Sequence, residues 1–167
     1  MDKEATNMDV QRFCRDWMAS VSVATMLAVL PGVASTAESL QLEEYAGKVV
    51  VLDFWASWCV PCRRSFPWMN EMQQKYAEDG LIIVAVNLDN NSIDAAKFLR
   101  EYPAKFRIVY DTDKELAREF GVQAMPSSFL IGRDGEVSSS HLGFKVKQQA
   151  EYEAAIVEAL AEEDDAD

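Results

Sequence analysis

The chain has 167 residues, of which 49% are hydrophobic and 26% are charged, and its formal net charge is -12 at pH 7. This length and composition predict one folded domain with a sizeable core and exclude a disordered or fibrous protein. The acidic balance argues against nucleic acid as a partner, because a negatively charged surface repels a polyanion. Eight acids and no Lys or Arg lie between Glu151 and Asp167, which is typical of a solvated helix end.

The first 37 residues have the pattern of a targeting segment. Two arginines precede the apolar run 17–30, and a Pro-Gly pair and small residues follow it. This order is typical of a secretory signal peptide, with cleavage expected after Ala37. The alternative is an uncleaved membrane anchor, since the run reaches the lower limit of a spanning helix. Either way we predict a domain over 38–167 that is periplasmic or otherwise extracytoplasmic, and that is held at a membrane only if the segment is uncleaved.

The next segments alternate between strand-like and helix-like patterns. The run KVVVLDFWA, residues 48–56, is apolar after Lys48 except for Asp53, which predicts a strand buried on both faces. A helix is predicted after the two cysteines that follow. Its apolar residues recur at spacings of three or four: Phe66, Met69, Met72 and Tyr76. A second buried strand is predicted over 81–89.

The second half of the chain continues the alternation. We predict a helix over 92–102 with Ser92 as N-cap, a short strand over 107–111, and a helix over 112–122 capped by Thr112 or Asp113. Residues 127–141 have the pattern of a hairpin with an Asp134-Gly135 turn. A last amphipathic helix is predicted from about Val146 to Glu163. This order of elements predicts an α/β fold with a central mixed sheet flanked by helices on both faces.

Two cysteines, Cys59 and Cys62, follow the first predicted strand. A zinc site would need two further Cys or His ligands, and the chain after residue 37 offers only His141. A structural bridge across so short a loop would remove little chain entropy from the unfolded state. The sequence therefore favours a redox pair, with no metal and no cofactor beyond a redox-active disulfide.

The two cysteines have different predicted roles. Cys59 lies at the start of a helix, where free N–H groups and the helix dipole favour a thiolate, so we predict it to be the nucleophile. Cys62, one turn later, is predicted to resolve the mixed disulfide. Pro61 suits the first helical turn. The Val60-Pro61 pair contains no His or Lys to stabilise the thiolate further, which favours a reductant over a strong oxidant.

The segment LDFWASWCVPC, residues 52–62, resembles the active-site segment of thioredoxins, and Pro67 follows at the matching distance. With the N-terminal segment, the Val-Pro pair, the helix around 93–102 and GVQAMPSSFLIGRDGEV at 121–137, the chain resembles most the TlpA, ResA and DsbE branch of extracytoplasmic thioredoxin-like proteins. The resemblance covers about residues 40–160. It implies a thioredoxin fold with an extra helix and strand, thiol-disulfide oxidoreductase activity on disulfide-bearing protein substrates, and an upstream membrane thiol-disulfide electron donor.

The resemblance also implies a substrate-binding surface. Met125-Pro126 matches the cis-proline peptide of the family, which packs against the cysteines and presents a backbone edge to a substrate peptide. An apolar surface next to it is expected to be lined by Trp58, Val60 and Pro61.

Asp53 matches a thioredoxin aspartate that helps deprotonate the second cysteine, which here is Cys62. A carboxyl in the middle of a buried strand should have a raised pKa. The lysine that partners this carboxylate in thioredoxins falls at Ala85 or Val86, so we expect Asp53 to be more strongly perturbed than in its relatives. The alternative is a buried Asp whose oxygens are satisfied by backbone donors.

A second departure concerns the substrate. Cytochrome c maturation members typically carry Glu after the cis-proline, where this chain has Ser127 and Ser128, so the prediction of that role is weakened. Two other functions stay open: a non-catalytic binding module on the same fold, whose disulfide remains closed, and a peroxiredoxin-like peroxide reductase.

Overall fold

The computed structural model describes residues 40–162, so the predicted targeting segment and the final acidic residues lie outside the described part. Within it, one sheet contains strands β1 (Val49–Trp55), β2 (Leu81–Asn87), β3 (Arg107–Tyr110), β4 (Ser127–Ile131) and β5 (Val137–Leu142). Their order across the sheet is β3-β2-β1-β4-β5. β1, β2 and β3 run parallel, whereas β4 is antiparallel to both β1 and β5. The predicted mixed sheet is confirmed.

The helices are α1 (Cys62–Tyr76), α2 (Ser92–Glu101), α3 (Glu115–Glu119) and α4 (Gln149–Ala161). Short 3-10 turns cover Leu42–Tyr45 and Val146–Gln148. The last predicted helix therefore begins as a 3-10 turn and is α-helical only to Ala161, and Glu163 lies outside the described residues. No helix in the described part of the chain is long and apolar enough to cross a membrane.

Strand β1 lies at the centre of the sheet, and all seven of its residues are buried. Successive side chains of a strand point to opposite faces, so Val49, Val51 and Trp55 pack with α1, α2 and α4. The alternate residues of β1 pack on the other face with Ala117 of α3 and with the 3-10 turn before β1. The helices thus cover both faces of the sheet, as the sequence predicts, and the Asp53 side chain shares the face of α1.

Two predicted helix caps are wrong. The N-cap of α2 is Asn91, whose side chain accepts hydrogen bonds from the amides of Ile93 and Asp94, both at 3.1 Å, and Ser92 is the first helical residue. Helix α3 begins later than predicted and is not capped by Thr112 or Asp113. Its first turn is instead held by the Asp111 carboxylate.

Asp111 follows the last residue of β3 and is buried. Its oxygens accept hydrogen bonds from the Glu115 amide at 2.8 Å and the Ala117 amide at 2.9 Å. Lys114, in the left-handed region with φ of 63°, forms the turn between the carboxylate and the helix. The cap therefore comes from Asp111, a residue that the sequence pattern assigns to the preceding strand.

Candidate active site

The two cysteines meet where β1 gives way to α1. Cys59 and Cys62 form a disulfide, with Cα atoms 5.4 Å apart. Cys59 is 3% exposed and Cys62 is fully buried. The Cys62 amide donates a hydrogen bond to Cys59 Sγ at 3.3 Å. A donor at the start of a helix stabilises negative charge on the sulfur it contacts, which is the electrostatic setting of a reactive thiolate.

The surface beside the disulfide is apolar. Trp58 is 66% exposed and Val60 is 58% exposed, and Pro61 between the cysteines is half-buried. These residues flank the cysteines in sequence, so their side chains present apolar area next to the sulfur atoms. Together they form a small exposed apolar patch, the kind of surface that marks a contact site when it is contiguous.

The peptide bond between Met125 and Pro126 is cis. Met125 is half-buried and packs against the cluster of buried side chains that contains both cysteines. Pro126 is buried, and its carbonyl oxygen accepts a hydrogen bond from the Gly143 amide at 2.8 Å. The structure thus brings Met125 to the cluster that contains the cysteines, although more than sixty residues separate Met125 from them along the chain.

Asp53 is 1% exposed. One carboxyl oxygen, Oδ1, accepts a hydrogen bond from Ser128 Oγ at 2.6 Å, while Oδ2 is buried without a hydrogen-bond partner. Burial raises the pKa of Asp53 from 3.8 to about 7, against the opposing effect of the Ser128 hydrogen bond. The observed partner is a hydroxyl group and not the backbone donors of the alternative interpretation. Asp53 is paired with Ala85 on β2, so Ala occupies the position at which thioredoxins have the partner lysine.

Sequence reasoning missed the residue that anchors the segment before the cysteines. Asp89 is buried and lies two residues after β2. Its carboxylate accepts hydrogen bonds from the Ser57 amide at 3.0 Å, from Ser57 Oγ at 2.9 Å and from Asn87 Nδ2 at 2.8 Å. This contact joins the ends of two adjacent parallel strands, so it fixes the turn that leads into Trp58 and Cys59.

Sequence reasoning also missed Ser128, which donates a hydrogen bond to Asp53, and His141, which pairs with Ser128. Ser128 is paired with Asp53 on one side and with His141 on the other, across the antiparallel strands β1, β4 and β5. The hairpin turn at 134–135 predicts the pairing of Ser128 with His141. No local pattern reveals that β4 inserts beside β1. Within residues 40–162, no group of three or more Cys, His, Asp or Glu side chains is arranged to hold a metal ion.

Comparison with known proteins places the site in a family. The Redoxin family profile matches residues 10–156. This chain belongs to the Redoxin family. The chain is similar to the thiol-disulfide oxidoreductase ResA of Bacillus thuringiensis subsp. konkukian. The two are 38% identical over 114 residues, which cover 68% of this chain and 66% of the relative. ResA of Bacillus subtilis is 36% identical over 98 residues, 59% of this chain and 55% of the relative. The matched part of the chain therefore spans about two thirds or less of the length of these relatives.

Solved structures agree with this assignment. The Redoxin-family chain superposes on a protein of Chlorobium tepidum, described as thiol:disulfide interchange protein DsbE, with a TM-score of 0.71 and 49% identity, covering 73% of this chain and 86% of that one. StoA of Bacillus subtilis gives a TM-score of 0.56 at 29% identity, covering 65% and 83%. The predicted thioredoxin-like fold and the resemblance to the ResA and DsbE branch are confirmed.

Proposed function

We propose that this Redoxin-family protein is a thiol-disulfide oxidoreductase that reduces or exchanges disulfides of protein substrates through Cys59 and Cys62. One observation carries the proposal: the two sulfur atoms form a disulfide at the start of α1, and the Cys62 amide donates to Cys59 Sγ. The family relatives named ResA and DsbE support the same activity.

The reaction proceeds in two exchanges. In the first, the Cys59 thiolate attacks a substrate disulfide, that bond breaks, and one substrate sulfur leaves as a thiolate. In the second, the Cys62 thiol gives its proton to Asp53 and the Cys62 sulfur attacks Cys59. The Cys59–Cys62 bond forms and the other substrate sulfur leaves. The substrate gains two electrons and the enzyme dithiol becomes a disulfide.

The difference in burial supports this order of attack. Cys59 retains 3% exposure whereas Cys62 has none, so a substrate sulfur can reach Cys59 first. The exposed side chains of Trp58 and Val60 would provide the apolar contact for the substrate chain, and Pro61 would complete that surface. The backbone at Met125-Pro126 would supply the edge with which an extended substrate segment pairs.

Asp53 suits the transfer of the Cys62 proton. A general base works best when its pKa lies near the working pH, and burial brings the pKa of Asp53 to about 7. The carboxyl is on the face of the sheet that packs against α1, the helix that carries Cys62. In this proposal Asp53 accepts the proton when Cys62 resolves the mixed disulfide and returns it when the enzyme is reduced again.

The proposed location and partners follow from the redox chemistry. A thiol-disulfide exchange enzyme finds disulfide-bearing substrates outside the cytoplasm, which agrees with a secretory or anchoring role for the N-terminal segment. The enzyme must then be reset by a donor dithiol, for which we propose a membrane thiol-disulfide protein. A role in cytochrome c maturation stays a prediction. It is weakened because the residue after the cis-proline is Ser127 and not Glu.

Trapping experiments test the function. The reduced full chain should reduce the disulfides of insulin in the presence of a dithiol. Cys62→Ser should abolish turnover and accumulate a mixed disulfide with the substrate, because Cys59 can attack but nothing resolves the product. Cys59→Ser is the matched control, and it should abolish turnover without forming the adduct. Gel electrophoresis under non-reducing conditions and mass spectrometry report the adduct.

Two results would overturn the proposal. If the wild-type protein reduces no protein disulfide and Cys62→Ser traps no adduct, the redox function is wrong, and a disulfide that also stays closed under reducing conditions favours a binding module. If the protein consumes hydrogen peroxide without exchanging disulfides, it is a peroxide reductase.

A further inference from the structure

Three polar side chains form a row across the sheet on the face that packs against α1 and α4. Asp53 of β1, Ser128 of β4 and His141 of β5 occupy successive strand-pairing positions. Side chains at directly paired positions of antiparallel strands lie about 5 Å apart at Cβ. Ser128 is therefore next to both of the other residues, and its hydroxyl already donates to Asp53 Oδ1 at 2.6 Å.

The row borders a small cavity between the sheet and the two helices. The cavity has a volume of about 30 Å³ and is lined by all three residues of the row, which exceeds the roughly 10–15 Å³ that a cavity needs to hold one water molecule. Two further polar side chains reach it, Ser65 from α1 and Tyr152 from α4. A buried water needs two to four polar partners, and polar residues from two helices and three strands line this cavity.

The second carboxyl oxygen of Asp53 lacks a donor that such a water could provide. Asp53 Oδ2 is buried without a hydrogen-bond partner, and an ionised carboxylate in that state is strongly disfavoured. The neighbouring helix connects the cavity to the cysteines, because Ser65 Oγ donates a hydrogen bond to the Cys62 carbonyl at 3.2 Å. The cavity thus lies between the carboxyl group and the helix turn that holds Cys62.

The titratable groups around Asp53 come from three packed elements: Cys62 on α1, His141 on β5 and Tyr152 on α4. β2 contributes Ala85 at the paired position. Among the described residues, none of those that line the cavity is Lys or Arg. Burial lowers the pKa of His141, with the Glu151 charge opposing, so the imidazole is mainly neutral near pH 7 and offers one donor and one acceptor.

We propose that Ser128 and His141 are positioning residues for Asp53: through the Ser128 hydroxyl and a water molecule held in the cavity, they set the pH at which Asp53 exchanges the proton of Cys62. The inference rests on the proposed redox function. It assigns to a neutral hydroxyl and an imidazole the part that a lysine plays beside the matching carboxylate in thioredoxins.

The physical reason is the stabilisation of the carboxylate form. The Ser128 hydroxyl donates to Oδ1, and a water hydrogen-bonded to His141 donates to Oδ2. Both bonds favour the ionised acid over the protonated acid, so losing either one makes Asp53 keep its proton to higher pH. The resolution of the mixed disulfide should then require a higher pH, because Asp53 must be ionised to accept the Cys62 proton.

Single-turnover kinetics test the inference on the full chain. The reduced protein is mixed with an excess of a peptide disulfide and quenched with acid, and mass spectrometry separates the mixed disulfide from the closed Cys59–Cys62 form. In the wild type the resolution rate should rise with a midpoint near the pKa of Asp53, about 7. Ser128→Ala should move the midpoint upward by about one pH unit, and His141→Phe should move it in the same direction.

Matched variants separate positioning from packing. Ser128→Thr and His141→Gln keep the polar atoms and should keep the wild-type midpoint within about 0.3 pH unit, a fraction of the shift expected for a lost hydrogen bond. Ser140→Ala changes an exposed serine of β5 beside His141, on the opposite face of the strand, and should leave the midpoint unchanged. If His141→Phe does not fold, His141→Leu removes the same polar atoms.

The outcomes distinguish the inference from the function on which it rests. If Ser128→Ala and His141→Phe resolve the mixed disulfide with the wild-type midpoint, the positioning role is wrong although the redox function stands. If only Ser128→Ala shifts the midpoint, the part assigned to His141 is wrong. If the wild type forms no mixed disulfide at any pH, the proposed function itself fails.

Discussion

Asp53 and Asp89 are two buried carboxyl groups in opposite environments. Asp53 has one hydroxyl donor and an unpartnered oxygen. Asp89 receives hydrogen bonds from the Ser57 amide and hydroxyl and from the Asn87 side chain. Since a buried charge is tolerated only when it is well paired, the environment of Asp89 stabilises the fold, whereas that of Asp53 weakens it and is the setting on which the proposed proton transfer depends.

Replacing Asp53 should stabilise the protein above neutral pH. Burial raises the pKa of Asp53 from 3.8 to about 7, so between about pH 4 and pH 7 the folded state holds a proton that the unfolded chain has released. Stability therefore falls as the pH rises through this window, by on the order of 4 kcal/mol in total. Asp53→Asn removes the titration, so it should be more stable than wild type at about pH 8 and similar to it at about pH 4. Urea unfolding of the oxidised proteins measures this difference.

Asp89→Asn is the matched control for the Asp53 prediction. It puts an amide NH2 in place of one acceptor oxygen that now faces three donors, so at about pH 8 it should lower the free energy of unfolding by about 1–3 kcal/mol, the opposite sign to Asp53→Asn. A stability gap between Asp53→Asn and wild type that does not change with pH would contradict the raised pKa.

At the scale of the elements, helix α3 is only five residues long and depends on a cap from outside its own start. Isolated helices of this length are not stable in water. The Asp111 carboxylate binds the amides of Glu115 and Ala117 and joins the helix to the end of β3. Helix α3 is therefore stabilised by a carboxylate that lies directly after β3.

Asp111→Ala should destabilise the protein by about 1–2 kcal/mol, the usual cost of losing an N-cap side chain. Thr112→Ala should change the stability by less than about 0.5 kcal/mol, as expected for a surface substitution outside such a feature. Urea unfolding of both variants at one pH measures the two effects. If Thr112→Ala lowers the free energy of unfolding more than Asp111→Ala does, Thr112 is the cap, as the sequence pattern predicts.

At the scale of the whole molecule, the disulfide encloses so little chain that it can stabilise the fold only modestly. The bridge joins residues three positions apart. In the chain-entropy description a loop of this size contributes about 2 kcal/mol, against nearly 5 kcal/mol for a loop of about 100 residues. Most of the stability must come from the two clusters of buried side chains on the faces of the sheet.

The oxidised and reduced proteins should therefore differ in free energy of unfolding by about 2 kcal/mol or less. Urea unfolding with and without an excess of dithiol measures the difference. The Cys59→Ser, Cys62→Ser double variant, which cannot form the disulfide, is the control. An oxidised state that is more stable by about 5 kcal/mol or more would identify the bridge as a structural element and favour the binding-module alternative.

The local chain encodes the strand β1, the helix α1 and the cysteine pair between them, because apolar periodicity and the spacing of two cysteines are properties of neighbouring residues. The hairpin at 134–135 is predictable for the same reason. The observed capping residues lie one or two positions before the predicted ones, since the group that binds free amides can come from any nearby side chain, as it does from Asp111. Short-range patterns do not specify which side chain arrives from another element.

The environment of Asp53 was decided by tertiary structure. Its partner Ser128 lies 75 positions away and reaches it only because β4 inserts antiparallel beside β1, which in turn brings His141 to the same row. A buried strand predicts that this carboxyl is desolvated. The sheet order decides that a hydroxyl pairs with it, and that an imidazole and a cavity with room for a water lie along the same row, because strand pairing depends on contacts between segments far apart in the chain.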